Sequence, residues 1–324
     1  MSAVAVDVIG VVGSLLGTWQ FGENLIPSVE QHQSTYRIQV GLDGTKDGNG
    51  KSLSNSGGSI DQIKTYNNNR ELIGSGKGGS ISEGGYSDFT AKQTGSQQAI
   101  TTEFYAGNDA MCIAYISAAM DEGTKWGWVG DWGYTCGMNW FPSGYRMQSS
   151  GGNDKVEAPR CTWIDKDHSN DISVGVIAIN WADFYHKDGD ENPSGDGTSY
   201  CGGSLRGWDE EGGKQLLPIE KTKSRARNHR SSQRSDDRLV VSSLDGHNAT
   251  EVCESGTSWG PDFIATAEGD GGVYCNMETH EVLPICHGSI TKDCFALDGG
   301  AEPAVVSRLG KRSPRKPTDV IFWK

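Results

Sequence analysis

Eight cysteines, Cys112, Cys136, Cys161, Cys201, Cys253, Cys275, Cys286 and Cys294, constrain this 324-residue chain more than any other feature. None falls in a Cys-x-x-Cys pair or at a Cys/His ligand spacing, so the set does not read as a zinc site. The chain also carries 45 Gly and 10 Trp, with only 35% hydrophobic residues. An even cysteine count in such a chain predicts up to four disulfides, whose connectivity stays open among about 105 formal pairings. Disulfides persist in oxidising compartments, which places the expected protein outside the cell or on its surface. A single sequon, Asn248-Ala249-Thr250, fits the same export route.

Gly-rich turns and many Trp suit short strands with aromatic burial, and the composition is too poor in helix formers for a bundle. The expected fold is mainly β: an N-terminal β-sandwich with a leading helix, plus a smaller disulfide-bonded C-terminal β unit. The net charge of −13 excludes nucleic acid as a partner, because phosphate binding needs a cationic footprint.

Along the chain, residues 1–34 are expected to hold the leading helix and its connection. Val4, Val8, Val11, Leu15 and Trp19 form one helical stripe, with Gly10, Ser14 and Gly17 roughly opposite. The apolar run from Val4 to Leu16 makes a weak leader, with no Lys or Arg before it and Asp7 inside it, and it is too short to span a bilayer. Residues 35–185 carry the strand signals of the sandwich. Tyr36, Ile38 and Val40 alternate with Arg37 and Gln39, while Met111–Ile116 and Val174–Trp181 read as strands covered on both faces. Residues 186–238, acidic and then basic, are expected as an exposed excursion or linker. A cysteine-rich β unit follows at 239–304, then an extended tail at 305–324 holding the dibasic pair Lys311-Arg312.

Three stretches, Asn108–Tyr115, Trp128–Gly133 and Cys161–Asp165, together with Gly260–Phe263, Cys275 and Pro284–Cys286, resemble a family of exported filamentous-fungal proteins. That likeness implies export and brings no catalytic residues. The N-terminal half, through its leading segment and Tyr36–Asp43, is similar at a distance to actinoporin-like cytolysins and fungal lectins. This second likeness implies a β-sandwich whose aromatics engage sugars or lipid headgroups.

The leading binding candidates are Trp126, Trp128, Trp132, Tyr134, Trp140 and Tyr145. Read as one strand, 126–136 puts Trp126, Trp128, Trp132 and Tyr134 on one parity, a wall of rings suited to sugars or a bilayer interface. The bland reading of the same residues is core packing. Calcium is the one cofactor the sequence offers, with no organic cofactor expected. Its oxygens would come from acidic turns: Asp165, Asp167 and Asp171 first, Asp188, Asp190 and Asp196 second, Asp43, Asp47 and Asn49 third. The bland reading is ordinary Asp/Gly turn chemistry. Gly44 to Ser52 has one residue too many for a phosphate loop, and no helix can open after it.

No Gly-x-Ser-x-Gly elbow exists, and His280-Glu281 lacks a second His at the metalloprotease spacing. The function expected is therefore an exported, non-enzymatic binding protein that recognises a glycan or membrane surface through an aromatic β face. Two alternatives stand beside it. One is a self-assembling structural protein, a homo-oligomer built through its N- or C-terminal arm. The other is a polysaccharide hydrolase with a carboxylate pair.

Overall fold

The computed structural model describes residues 6–12, 15–21, 25–28, 30–41, 56–149, 156–184, 197–219, 238–297, 304–306 and 317–323. It divides into two compact units, Met1–Asp43 with Leu53–Glu220, and Gly44–Ser52 with Lys221–Lys324. Both are mainly β, as expected.

In the first unit the strands are β1 (Val6–Val12), β2 (Leu15–Phe21), β3 (Gln33–Val40), β4 (Gly58–Tyr66), β5 (Leu72–Lys77), β6 (Ser80–Ile81), β7 (Tyr86–Gln93) and β8 (Thr101–Ala106). Next come β9 (Met111–Ala119), β10 (Lys125–Val129), the short helix α1 (Asp131–Thr135), β11 (Trp140–Pro142), β12 (Met147–Ser149) and β13 (Val156–Glu157). The unit closes with β14 (Arg160–Ile164), β15 (Val176–Asn180) and β16 (Leu205–Trp208). One continuous sheet runs β11-β14-β9-β3-β7-β5-β4-β8-β15-β16. It turns a corner where β5 and β7 pair over only two residues, Gly74 with Gln93 and Ser75 with Lys92.

That corner folds the sheet over its own core. Tyr36 of β3 stacks on Trp181 at 6.0 Å and meets Phe104 of β8 edge-on at 5.4 Å. The one polar knot between these rings is satisfied: Thr102 Oγ1 donates to the Tyr36 hydroxyl at 2.9 Å and accepts from Trp181 Nε1 at 2.8 Å. A buried hydroxyl left without a partner would cost about 1–3 kcal/mol, so this triad fixes which faces meet. β9, read from sequence as covered on both faces, is buried along its whole length.

Among the described residues the leading helix is not found. Residues 6–12 and 15–21 instead pair as antiparallel strands, in register from Val6 with Phe21 to Val12 with Leu15. β2 then pairs with β12. The helical stripe was built on β-branched Val and interrupted by Gly, both poor in helices, whereas Val and Ile favour a pleated surface. Residues 197–219, expected within the exposed excursion, carry β16, which pairs with β15 from Val176–Trp208 to Ile179–Leu205. Leu205 and Leu217 are buried, and a disulfide from Cys201 to Cys136 anchors the segment.

The second unit contains β17 (Leu239–Ser242), the helix α2 (Ala249–Glu254), β18 (Asp262–Ala265), β19 (Val273–Asn276), β20 (Glu281–Pro284), β21 (Cys294–Ala296), β22 (Ala304–Val306) and β23 (Val320–Trp323). Its five-stranded sheet runs β20-β19-β18-β17-β23. β17 pairs in parallel with both β18 and β23. The end of the expected extended tail is thus a strand of the chain's own sheet, and the N-terminal arm is a hairpin within its own unit. Neither is a free arm for self-assembly among the described residues.

All eight cysteines are paired: 112 with 161, 136 with 201, 253 with 275, and 286 with 294. Among the described residues no helix is long and apolar enough to cross a membrane.

Candidate binding face on the first unit

The aromatic stretch expected as a binding wall is not one strand. β10 stops at Val129 and α1 begins at Asp131, so the parity that aligned Trp128 with Trp132 and Tyr134 breaks at Gly130. Gly133 is what lets α1 lie flat on β14, since a Cβ there would stand 2.0 Å from Thr162 Oγ1. Trp128 and Trp132 are 0% exposed and Trp140 is 1% exposed, so these three rings are core and not a ligand platform. Trp132 packs against Phe184 at 4.9 Å and Tyr200 at 4.7 Å. Trp126, Tyr134 and Tyr145 are half-buried.

Tyr134 and Trp140 do bind a cation, but it is the protein's own. The Arg160 guanidinium lies 4.2 Å from the Tyr134 ring centroid and 5.2 Å from that of Trp140. It also donates to buried Asp131 Oδ1 at 3.0 Å, and the Arg160 backbone N–H donates to Asp131 Oδ2 at 3.1 Å. Burial pushes the Asp131 carboxyl up to about 7 from 3.8, against the pull of Arg160. The folded state therefore holds this proton more tightly than the unfolded chain. Its stabilising contribution is complete below about pH 4 and declines as pH rises through about 7. Asp131→Asn is expected to flatten this decline, which urea denaturation at about pH 4 and about pH 8 would measure. An unchanged slope in the variant would assign the pH dependence elsewhere.

The first acidic turn is only partly assembled. Asp165 accepts from Ser169 Oγ at 2.6 Å, and Asp167 Oδ1 accepts from the Ser169 backbone N–H at 2.9 Å. Burial raises the Asp165 carboxyl, and the Ser169 N–H lowers that of Asp167. The charge of Asp167 adds to the rise at Asp165, whose Oδ1 is buried without a hydrogen-bond partner among the described residues. Asp171 does not complete a set: no cluster of three acidic, His or Cys side chains able to hold a metal occurs among the described residues. Asp188, Asp190, Asp196, Asp43, Asp47 and Asn49 lie outside the described residues.

A different face brings chemistry together. On β4, β8, β15 and β16 the alternate residues outside the main apolar cluster fall in rows fixed by strand register, with Ala178, Val176 and Tyr105 buried among longer polar neighbours. Lys64, Glu103, Ala178 and Arg206 form one row, and Gln62, Tyr105, Val176 and Trp208 the next. Tyr66, Thr101 and Asn180 make a third. Ala178, the smallest side chain of the middle row, lies between Glu103 and Arg206.

Glu103 Oε2 accepts from the hydroxyls of both Tyr66, at 2.9 Å, and Tyr105, at 2.5 Å. Burial first, and the neighbouring Glu103 second, push Tyr66 up to about 12 and Tyr105 further in the same direction. Both phenols therefore stay protonated and fixed. Lys64 Nζ sits 4.9 Å from the Tyr105 ring centroid and pairs with Glu211. The Arg206 guanidinium lies 5.4 Å from the Trp208 ring centroid.

Two buried polar atoms on this face have no hydrogen-bond partner among the described residues: Arg206 Nε, a donor, and Asn180 Oδ1, an acceptor. Orphans of this kind are uncommon in folded proteins and call for a ligand, ion or water. The sequence did carry a signal for the face. Lys64-Thr65-Tyr66, Glu103-Phe104-Tyr105 and Arg206-Gly207-Trp208 each set a charge two residues before an aromatic, which a strand displays on one side. What the sequence hid was that β4 and β8 are neighbours of one sheet and that only β15 separates β8 from β16.

No family model matches the chain, and no curated protein matches it. The resemblances drawn from the sequence therefore assign no role to any residue of this face, whose chemistry rests on the geometry alone.

Proposed function

We propose that the protein is an exported glycan-binding protein whose ligand lies on the outer face of β4, β8, β15 and β16. The observation that carries this reading is the placement of Tyr105 and Trp208 in one row of this face, beside a partnerless donor, Arg206 Nε, and a partnerless acceptor, Asn180 Oδ1, in the two rows that follow. A pyranose presents an apolar ring face and a rim of hydroxyls, which match flat side chains and fixed polar atoms together. A bilayer is the poorer fit. Membrane docking draws on exposed apolar rings, whereas these rings are half-buried or buried and held by charged neighbours. Four disulfides fit an oxidising destination.

A glycan array probed with the oxidised protein tests this directly, alongside co-sedimentation with liposomes. Trp208→Ala and Tyr105→Ala are expected to weaken capture by the same oligosaccharides by roughly tenfold or more while melting remains cooperative. Folded variants that bind the array as the parent does, or capture by liposomes alone, would remove the proposal.

A further inference from the structure

Arg160, Lys64 and Arg37 are each neutralised by a carboxylate, whereas Arg206 makes no ion pair among the described residues. Arg160 is paired with Asp131 and Lys64 with Glu211. On β3 of the same sheet Arg37 makes a two-pronged bond to Asp88, with 2.7 Å on each prong. Arg206 has no such carboxylate among the described residues. Its side chain is half-buried against Trp208, and its Nε is buried without an acceptor.

Withdrawing a guanidinium from water without supplying an acceptor costs free energy that a bound anion would offset. Its nearest sheet carboxylate, Glu103, stands across Ala178 and is already taken up by two phenols. Arg70, at a turn of positive φ (63°), adds like charge rather than relief, and both burial and that charge disfavour the Arg206 cation. An anion arriving at Arg206 would meet the charge of Arg70 as well, with Glu103 acting against it, although the whole chain carries −13.

We propose, building on the glycan-binding reading, that this face selects an acidic saccharide of the hexuronate class, whose carboxylate is received by Arg206. A carboxylate is planar and offers two oxygens at the spacing of the Nε–Nη edge, and the sulfated arm of the test separates it from a tetrahedral anion of similar bite. The pyranose carrying it would lie against Trp208, with a ring hydroxyl donating to Asn180 Oδ1. Lys64 and Tyr105 border the next position along the face.

The test is calorimetric titration of the full oxidised chain with hexuronate oligomers built from galacturonate, mannuronate or glucuronate. Their methyl esters, neutral oligosaccharides of the same length and a sulfated glycosaminoglycan serve as comparison arms. At least one hexuronate is expected to bind roughly tenfold or more tightly than its methyl ester, with the difference shrinking as salt rises. Arg206→Met should bind acid and ester alike, and Arg206→Lys should keep part of the preference, because charge survives while the fork is lost. Both variants should melt cooperatively and no lower than the parent by more than the loss of one ring contact, since no hydrogen bond or ion pair of the guanidinium is removed.

Equal affinity for acid and ester, or tighter binding of the sulfated chain, would overturn the hexuronate assignment. If neutral glycans still bind in a Trp208-dependent way, glycan binding stands and only this inference falls. Failure of every saccharide to bind would overturn both.

Discussion

Replacing Cys136 and Cys201 together by alanine is expected to lower the folding free energy by about 4 kcal/mol, a loss that the 49-residue Cys112–Cys161 link nearly equals. The bond closes the longest loop, 65 residues, and so removes the most freedom from the unfolded chain. By the same argument the 22-residue link between Cys253 and Cys275 is worth about 3 kcal/mol, and the 8-residue link between Cys286 and Cys294 about 2.5 kcal/mol. The Cys136–Cys201 bond also joins α1 to the segment that leads into β16, so its loss should loosen Arg206 and Trp208 and weaken glycan capture as well. Urea denaturation of the three paired alanine variants checks the order. A Cys136/Cys201 variant with an unchanged midpoint would show that the segment is held by its strand pairing alone.

Trp132→Ala is expected to cost about 3–5 kcal/mol, because the ring is fully buried between Phe184 and Tyr200 and its removal leaves a cavity. Trp208→Ala, on a half-buried ring of the outer face, should cost far less stability while losing ligand capture. The two tryptophans thus separate core from site. If Trp132→Ala melts like the parent and loses glycan binding instead, the aromatic stretch 126–145 is the binding surface and the outer face of β4, β8, β15 and β16 is not.

These contrasts reflect how much of the molecule could be read from its residues. β3, β9 and β15 were legible because alternation and unbroken apolar runs are local signals. The hairpin of β1 and β2 was not, since spacing of Val at three and four residues fits a helix as well as chance on a strand, and only pairing decides. The ring wall at 126–136 failed for another local reason. A two-residue period holds only while the backbone stays extended, and Gly130-Asp131 ends it.

The binding face was hidden at a longer range. Its three charge–aromatic pairs lie at 64–66, 103–105 and 206–208, and the last falls in a stretch whose composition resembles a linker. Only the pairing of β16 with β15 brings Arg206 beside the others. The parallel pairing of β23 with β17 likewise joins residues some 80 positions apart, which no window of sequence contains.

Backbone hydrogen exchange of the oxidised protein, with and without an oligosaccharide captured from the array, tests the location of the site most directly. Slowed exchange is predicted in β8, in β16 and in the 209–215 connection that supplies Glu211. Slowing confined to 126–145, or to the second unit, with none in β8 or β16, would contradict it.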